Sequence, residues 1–216
     1  MKVKRWLSGP AYMRAGKGIS FKCIQCDVCC GTGPNVSLTA YDVIRMASFM
    51  NIDWKAFLNL FVDVIIADVM PFMKLSGVGV GRCPFLRFAE NDLTYCYIYP
   101  ARPMKCRLYP FILQSPSSPR LYADPKCPGI GEGPKVLPSR ELLERYRREV
   151  RLHYKRLHEM IMEEGMEPLE ALYTLLSQLE EEYRSGAEWG DLDLLNNISR
   201  FIVVEQESSS DQPPDS

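Results

Sequence analysis

The sequence predicts an α+β protein, mainly helical: a small, loop-rich domain with short strands, followed by a C-terminal helical segment. Three observations predict it. Four cysteines (Cys23, Cys26, Cys29, Cys30) fall within eight residues, and Cys83, Cys96, Cys106 and Cys127 follow singly. Prolines crowd the stretch that holds the later four (Pro84, Pro100, Pro103, Pro110, Pro116, Pro119, Pro125, Pro128), where long regular elements cannot survive. From Pro138 onward, apolar residues recur at helical spacing between clear start and stop signals.

Composition sets the outer bounds. The chain has 216 residues, 46% of them hydrophobic, and a net charge of −1, so no charge excess points to a nucleic-acid or membrane partner. The first 22 residues are basic (Lys2, Lys4, Arg5, Arg14, Lys17, Lys22) but lack the apolar stretch of a secretory signal. The longest apolar run, Phe57–Met73, is broken by Asp63, Asp68 and Pro71, so no membrane span is expected. A cytoplasmic location follows as the expectation, and thiols stay reduced there. The cysteines are therefore read as ligands and not as disulfides.

Residues 1–18 read as a basic, irregular arm, punctuated by Gly9-Pro10 and Gly16-Lys17-Gly18. Residues 19–133 form the cysteine domain. Within it, Thr39 caps a helix over 40–50 with Val43, Met46, Ala47 and Met50 on one face. Asp53 caps a second helix expected to reach Ile66, completing a helical hairpin. Neither helix offers a basic face, so a DNA-reading helix pair is not favoured. The glycines between Gly77 and Gly81 read as a joint. Short strands are expected over Cys83–Phe88, Leu93–Tyr99, Tyr109–Leu113 and Arg120–Ala123, with a turn at Glu90-Asn91-Asp92.

Residues 134–204 read as helices packed on that domain. Ser139 caps a helix running to Glu164, where Gly165 stops it. Pro168 opens the next, to Arg184, with Gly186 as its stop. Asp191 caps a last helix to Val203. Residues 205–216 are acidic and rich in Ser and Pro, the composition of a disordered tail.

The cysteine spacing carries the chemistry. In a C-x-x-C step the loop curls so that both sulfurs face one point, as zinc and iron–sulfur sites require. Cys23, Cys26 and Cys29 match the first three ligands of a bacterial ferredoxin run, C-x2-C-x2-C-x3-C-P. Its fourth ligand would fall at Gly33, before Pro34, so a distal cysteine must complete a cubane. Cys29 and Cys30, being adjacent, can hardly both bind one ion. This spacing favours a [4Fe–4S] cluster over zinc, with all eight cysteines as candidate ligands. A basic residue precedes Cys23, Cys83, Cys106 and Cys127 (Lys22, Arg82, Lys105, Lys126), and Arg107 follows Cys106. Such cations stabilise ionised sulfur. Arg102 and Arg107 are read as the groups that act on the cofactor.

Other features read as ordinary. His153 and His158 are placed on the surface of the long helix, and its arginines (Arg145, Arg147, Arg148, Arg151, Arg156) on a solvated face paired with Glu141, Glu144 and Glu149. Tyr95, Tyr97, Tyr99 and Tyr109 read as shielding for Cys96 and Cys106. No Walker loop, Rossmann fingerprint or Ser-His-Asp pattern is present.

Several blocks together carry a resemblance: Cys23-x2-Cys26-x2-Cys29-Cys30; Ser37-Leu38-Thr39-x2-Asp42-x2-Arg45; Cys83-Pro84; Cys96-x-Ile98-Tyr99-x2-Arg102-Pro103-x2-Cys106-Arg107-x-Tyr109-Pro110-Phe111; and Cys127. Over about residues 20–130 the chain resembles the YkgJ-type cysteine-cluster family, also described as a zinc- or iron-chelating domain. The resemblance implies a cysteine-bound metal centre, commonly described as an iron–sulfur cluster, and no settled activity. A related cysteine cluster occurs in the flagellin lysine methylase family, which makes a protein-lysine-modifying enzyme one implied alternative. The leading expectation is a metal-centred redox or electron-transfer protein with an unidentified protein partner. A structural zinc protein that binds a partner through its helices is the alternative.

Overall fold

The computed structural model describes residues 12–31, 36–79, 81–90 and 93–204. The expected acidic tail, most of the basic arm, and Asn91 and Asp92 of the predicted turn lie outside these residues. In chain order the described elements are β1 (Met13–Arg14), β2 (Ile19–Phe21), α1 (Val28–Gly31), β3 (Ser37–Leu38), α2 (Ala40–Phe49), α3 (Trp54–Phe61), β4 (Val62–Ala67) and β5 (Met70–Leu75). Then come β6 (Leu86–Phe88), β7 (Thr94–Cys96), a 3-10 turn over Tyr99–Ala101, α4 (Met104–Leu108), β8 (Phe111–Leu113), β9 (Leu121–Ala123) and β10 (Ile130–Pro138). The chain ends in α5 (Arg140–His158), α6 (Pro168–Arg184), α7 (Leu192–Asn197) and β11 (Phe201–Val203).

The helix starts follow the local chemistry. At Thr39 the hydroxyl accepts the Asp42 N–H at 3.2 Å, while the Asp42 carboxylate accepts the Thr39 N–H at 3.0 Å, closing a reciprocal cap. Asp53 accepts the Lys55 N–H at 2.8 Å, and Ser139 the Leu142 N–H at 3.2 Å. Gly165 and Gly186, at φ +73° and +83°, end α5 with its terminal π turn, and α6.

The structure corrects the expectation at four places. The second helix stops at Phe61, not Ile66: the β-branched run Val62-Asp63-Val64-Ile65-Ile66 pairs with β5 through a two-residue turn at Asp68-Val69. The last helix stops at Asn197. Beyond it Phe201 packs edge-on against Phe21 at 5.4 Å and against Phe111 at 5.5 Å, and β11 pairs with the end of β10. The arm expected to be irregular contains β1, which pairs with β9, and β2 follows it at once, paired with β10. Strand β10 itself, Ile130–Pro138, was not foreseen and runs through residues 133 and 134.

Among the described residues the strands make three three-stranded antiparallel sheets, β1-β9-β8, β11-β10-β2 and β3-β5-β4, and the pair β6-β7. The architecture is α+β, 43% helix and 24% strand, a larger strand share than a mainly helical chain carries. One core joins the cysteine region to the late helices: Val43, Met46, Phe57, Met73 and Phe85 pack with Leu157, Leu172, Leu175 and Leu179. A second lies under the first two sheets around Ala15, Phe21, Phe111 and Ala123. A third clasps α4, through Met104 and Leu108, against Leu142 of α5 and Leu195 of α7.

Candidate metal centre

Backbone ties hold the cysteine run in place. The Lys22 N–H donates to Gly129 O at 3.1 Å, two residues past Cys127. Gln25, at φ +53°, turns its carbonyl to the Thr94 N–H (2.9 Å) and hydroxyl (2.8 Å), two residues before Cys96. The Cys83 N–H donates to Cys30 O at 2.7 Å. Three of the four distal cysteines are thus fastened to the run by main-chain bonds beside them. Gly129 is required for the first tie, because a Cβ there would collide with the Lys22 carbonyl.

The fourth distal cysteine, Cys106, is placed by a buried ion network. It sits on α4, whose first N–H, at Met104, donates to the Asp42 carboxylate at 3.0 Å. That carboxylate also takes Arg45 Nη2 at 2.9 Å. Arg45 reaches both oxygens of Glu149 on α5, at 2.8 and 2.7 Å, and the Trp189 carbonyl at 3.1 Å. Arg45, Asp42 and Glu149 are 0%, 2% and 3% exposed. A bidentate pair in that setting is rigid, and removing one member leaves an uncompensated charge.

Three thiols touch. Cys29 Sγ and Cys30 Sγ lie 3.7 Å apart, and Cys30 shares hydrogen bonds with both Cys29 and Cys83. Those bonds pull the Cys29 and Cys83 thiols down to about 7 and push Cys30 far up, so this trio readily gives up a proton. Around it, burial raises Cys96 to about 11, and raises Cys106 further, with negative charge at Cys96, Cys83 and Cys29 adding to the rise in Cys106. Burial also raises Cys127, which feels Cys26, Cys29 and Cys23. Charge thus links Cys29 to Cys83, Cys96, Cys106 and Cys127, and Cys127 to Cys23 and Cys26. Among the described residues, no three Cys, His, Asp or Glu side chains converge on a single ion position.

Behind the thiols lie two buried guanidinium groups. Arg107 is 2% exposed and donates to Asn196 Oδ1 at 2.9 Å, Arg102 O at 3.3 Å and Pro100 O. Arg102, 6% exposed, donates to Tyr99 O at 2.6 Å and stacks on the Tyr99 ring at 3.6 Å. All these acceptors are neutral. Burial, with each group close to other arginines, lowers Arg107 to about 9 and Arg102 to about 10.

The sequence misplaced several groups. His153 is buried, 1% exposed, with Nδ1 accepting the Ala40 N–H at 3.3 Å, because the inward face of α5 includes it and meets the start of α2. His158 is exposed, as expected. Glu149 is the floor of the ion network and not part of a solvated face; Glu144 pairs with Arg140, and Arg156 reaches across to Glu182 of α6, neither partner being one the sequence named. Tyr95, Tyr97 and Tyr99 are about half exposed. The cations that lower the thiols are Arg200 toward Cys29 and Arg87 toward Cys83, while Arg82 lies over the Phe88 ring at 5.8 Å. Of the network, only the Thr39-x-x-Asp42 cap was visible as a local pattern. Arg200 and Glu149 had no sequence signal, because their partners lie more than ninety residues away.

Residues 22–128 match the CxxCxxCC family, described as a zinc- or iron-chelating domain. Over those residues the chain belongs to that family. It is also similar to an uncharacterized protein, MJ0661, of Methanocaldococcus jannaschii, with 33% identity over 97 residues. That similarity covers 45% of this chain and 48% of the relative, so the chain spans about half the length of the curated relative it matches. No solved structure matches the chain. No described helix is long and apolar enough to cross a membrane.

Proposed function

We propose that this protein holds an iron–sulfur centre, of the [4Fe–4S] type, on its cysteines and passes single electrons to a protein partner. The observation that carries the reading is the pair of buried cations, Arg102 and Arg107, whose hydrogen bonds among the described residues go to neutral oxygens beside Cys96 and Cys106. Burying a guanidinium without a counter-charge is costly. Thiolates on a metal carry net negative charge, which would offset it. The Cys30 hydrogen bonds and the charges of Arg87 and Arg200 favour ionised sulfur at Cys29 and Cys83. When bound, such a centre supplies one-electron exchange. The chain's part is to hold the sulfurs, to set their charge, and to bury Cys83 and Cys127 away from water.

A structural zinc ion is the second reading. The Cys29–Cys30 separation of 3.7 Å is close to the edge of a zinc–thiolate tetrahedron, about 3.8 Å for 2.3 Å bonds. No three described thiols converge on one ion position, so zinc would need Cys83 and further thiols to close in on one member of the Cys29–Cys30 pair. Purification without oxygen, followed by iron, zinc and acid-labile sulfide analysis and a redox titration, separates the two. Iron matched by sulfide, with a reversible one-electron wave, is expected. Colourless protein with stoichiometric zinc and no wave would overturn the proposal.

A further inference from the structure

The outer strand of the sheet β3-β5-β4 is β4, and no described residue pairs with its far edge. Its ladder with β5 runs from Val62↔Leu75 to Ala67↔Met70 without a bulge. Pro71 fixes which groups are free. Having no N–H, it fits a non-hydrogen-bonded pair with Ile66, so the bonded pairs are Ala67↔Met70, Ile65↔Phe72 and Asp63↔Lys74. The N–H and C=O groups of Val64 and Ile66 then point to the open edge.

Edge strands are usually blunted by lysine, proline, a bulge or a covering element. Among the described residues, strand β4 has none of these. Its one charge, Asp63, is taken up within the chain by Lys74 at 3.5 Å and by the Ser76 hydroxyl at 2.6 Å. Around it the surface is apolar and open: Leu60, Ile65, Ile66 and Phe72 are 64%, 52%, 50% and 40% exposed. With its one charge paired within the chain, the edge offers an incoming strand apolar surface and outward backbone groups. It does suit a second copy of itself.

Antiparallel pairing about a two-fold axis at Ile65 sets Val64 of each copy opposite Ile66 of the other, where they exchange both outward hydrogen bonds. Ile65 meets its twin at a non-hydrogen-bonded centre, where Cα atoms approach to about 4.5 Å. Phe72, the cross-strand neighbour of Ile65, flanks that contact on the same face. Asp63 falls opposite Ala67, so no two acids oppose each other. An isologous contact of this kind closes on itself. We propose that β4 pairs with β4 of a second copy, making a homodimer with one continuous six-stranded sheet.

Sedimentation equilibrium on the full chain tests this. The wild type is expected at twice the mass of one chain. Ile65→Lys sets two ammonium groups against each other at the axis. Ile66→Pro deletes one outward N–H and leaves the bonded pairs to β5 intact. Each variant that keeps the wild-type circular dichroism spectrum should sediment at half the wild-type mass. A wild type that stays monomeric at every concentration would overturn the proposal, and so would a folded variant that stays dimeric.

Discussion

At Gly129 the Cys127 loop passes so near the Lys22 carbonyl that only hydrogen fits. Gly129→Ala should push the loop away, break the Lys22 bond and cost about 1–3 kcal/mol; its metal content after purification should fall, and full loading with unchanged stability would show the tie to be dispensable. Arg107→Leu removes a buried cation beside Cys106. If a cluster is bound, its midpoint potential should become more negative, since the added electron loses a nearby positive charge; a voltammogram matching wild type would deny Arg107 that role. His153 is buried as the neutral ring, and burial lowers it to about 4 from an ordinary value near 6.5. The unfolded chain therefore binds a proton that the folded chain refuses, and stability falls as pH drops from about 6.5 to about 4, by on the order of 3 kcal/mol. Urea titrations across that window should show the slope, and His153→Gln should flatten it. No sequence pattern announced this histidine, because its burial depends on how α5 rotates against α2.

Two elements explain how the late helices serve the cysteine region. The cap at Thr39 was legible, since a hydroxyl and a carboxylate three residues apart before an apolar face have one economical use. The second task of Asp42, holding the first N–H of α4, was not legible, because α4 is a five-residue helix in a Pro-broken stretch whose periodicity is too short to read. Glu149→Ala should leave Arg45 buried without its bidentate partner and cost about 3–5 kcal/mol in denaturant unfolding; a loss below about 1 kcal/mol would show the network to be slack. The strand β4 shows the opposite failure. Its apolar residues continue the spacing of α3 and so read as helix, but β-branching at four of its six residues favours the extended chain once β5 is beside it.

Over the whole molecule, the helical core and the cysteine region are fastened differently. Val43, Phe57, Leu172 and Leu175 bury an apolar seam that needs no metal, whereas the Pro-rich region from Cys83 to Cys127 has little core of its own. Chelating the metal should therefore lower the melting temperature while leaving most of the far-ultraviolet helix signal; complete loss of that signal would mean that the late helices depend on the centre. The family's cysteine motif was readable from spacing alone, because ligand chemistry leaves a local mark in C-x-x-C steps. How its cysteines are arranged was not, because that depends on ties between segments far apart in the chain. The central claim is that the gathered thiols hold an iron–sulfur centre. X-ray absorption at the iron edge, on protein purified without oxygen, tests it most directly. The account predicts iron surrounded by sulfur, with a second iron at short range, and loss of that iron–iron signal in Cys26→Ser. Iron absent, or present with oxygen and nitrogen neighbours and no second iron, would contradict it.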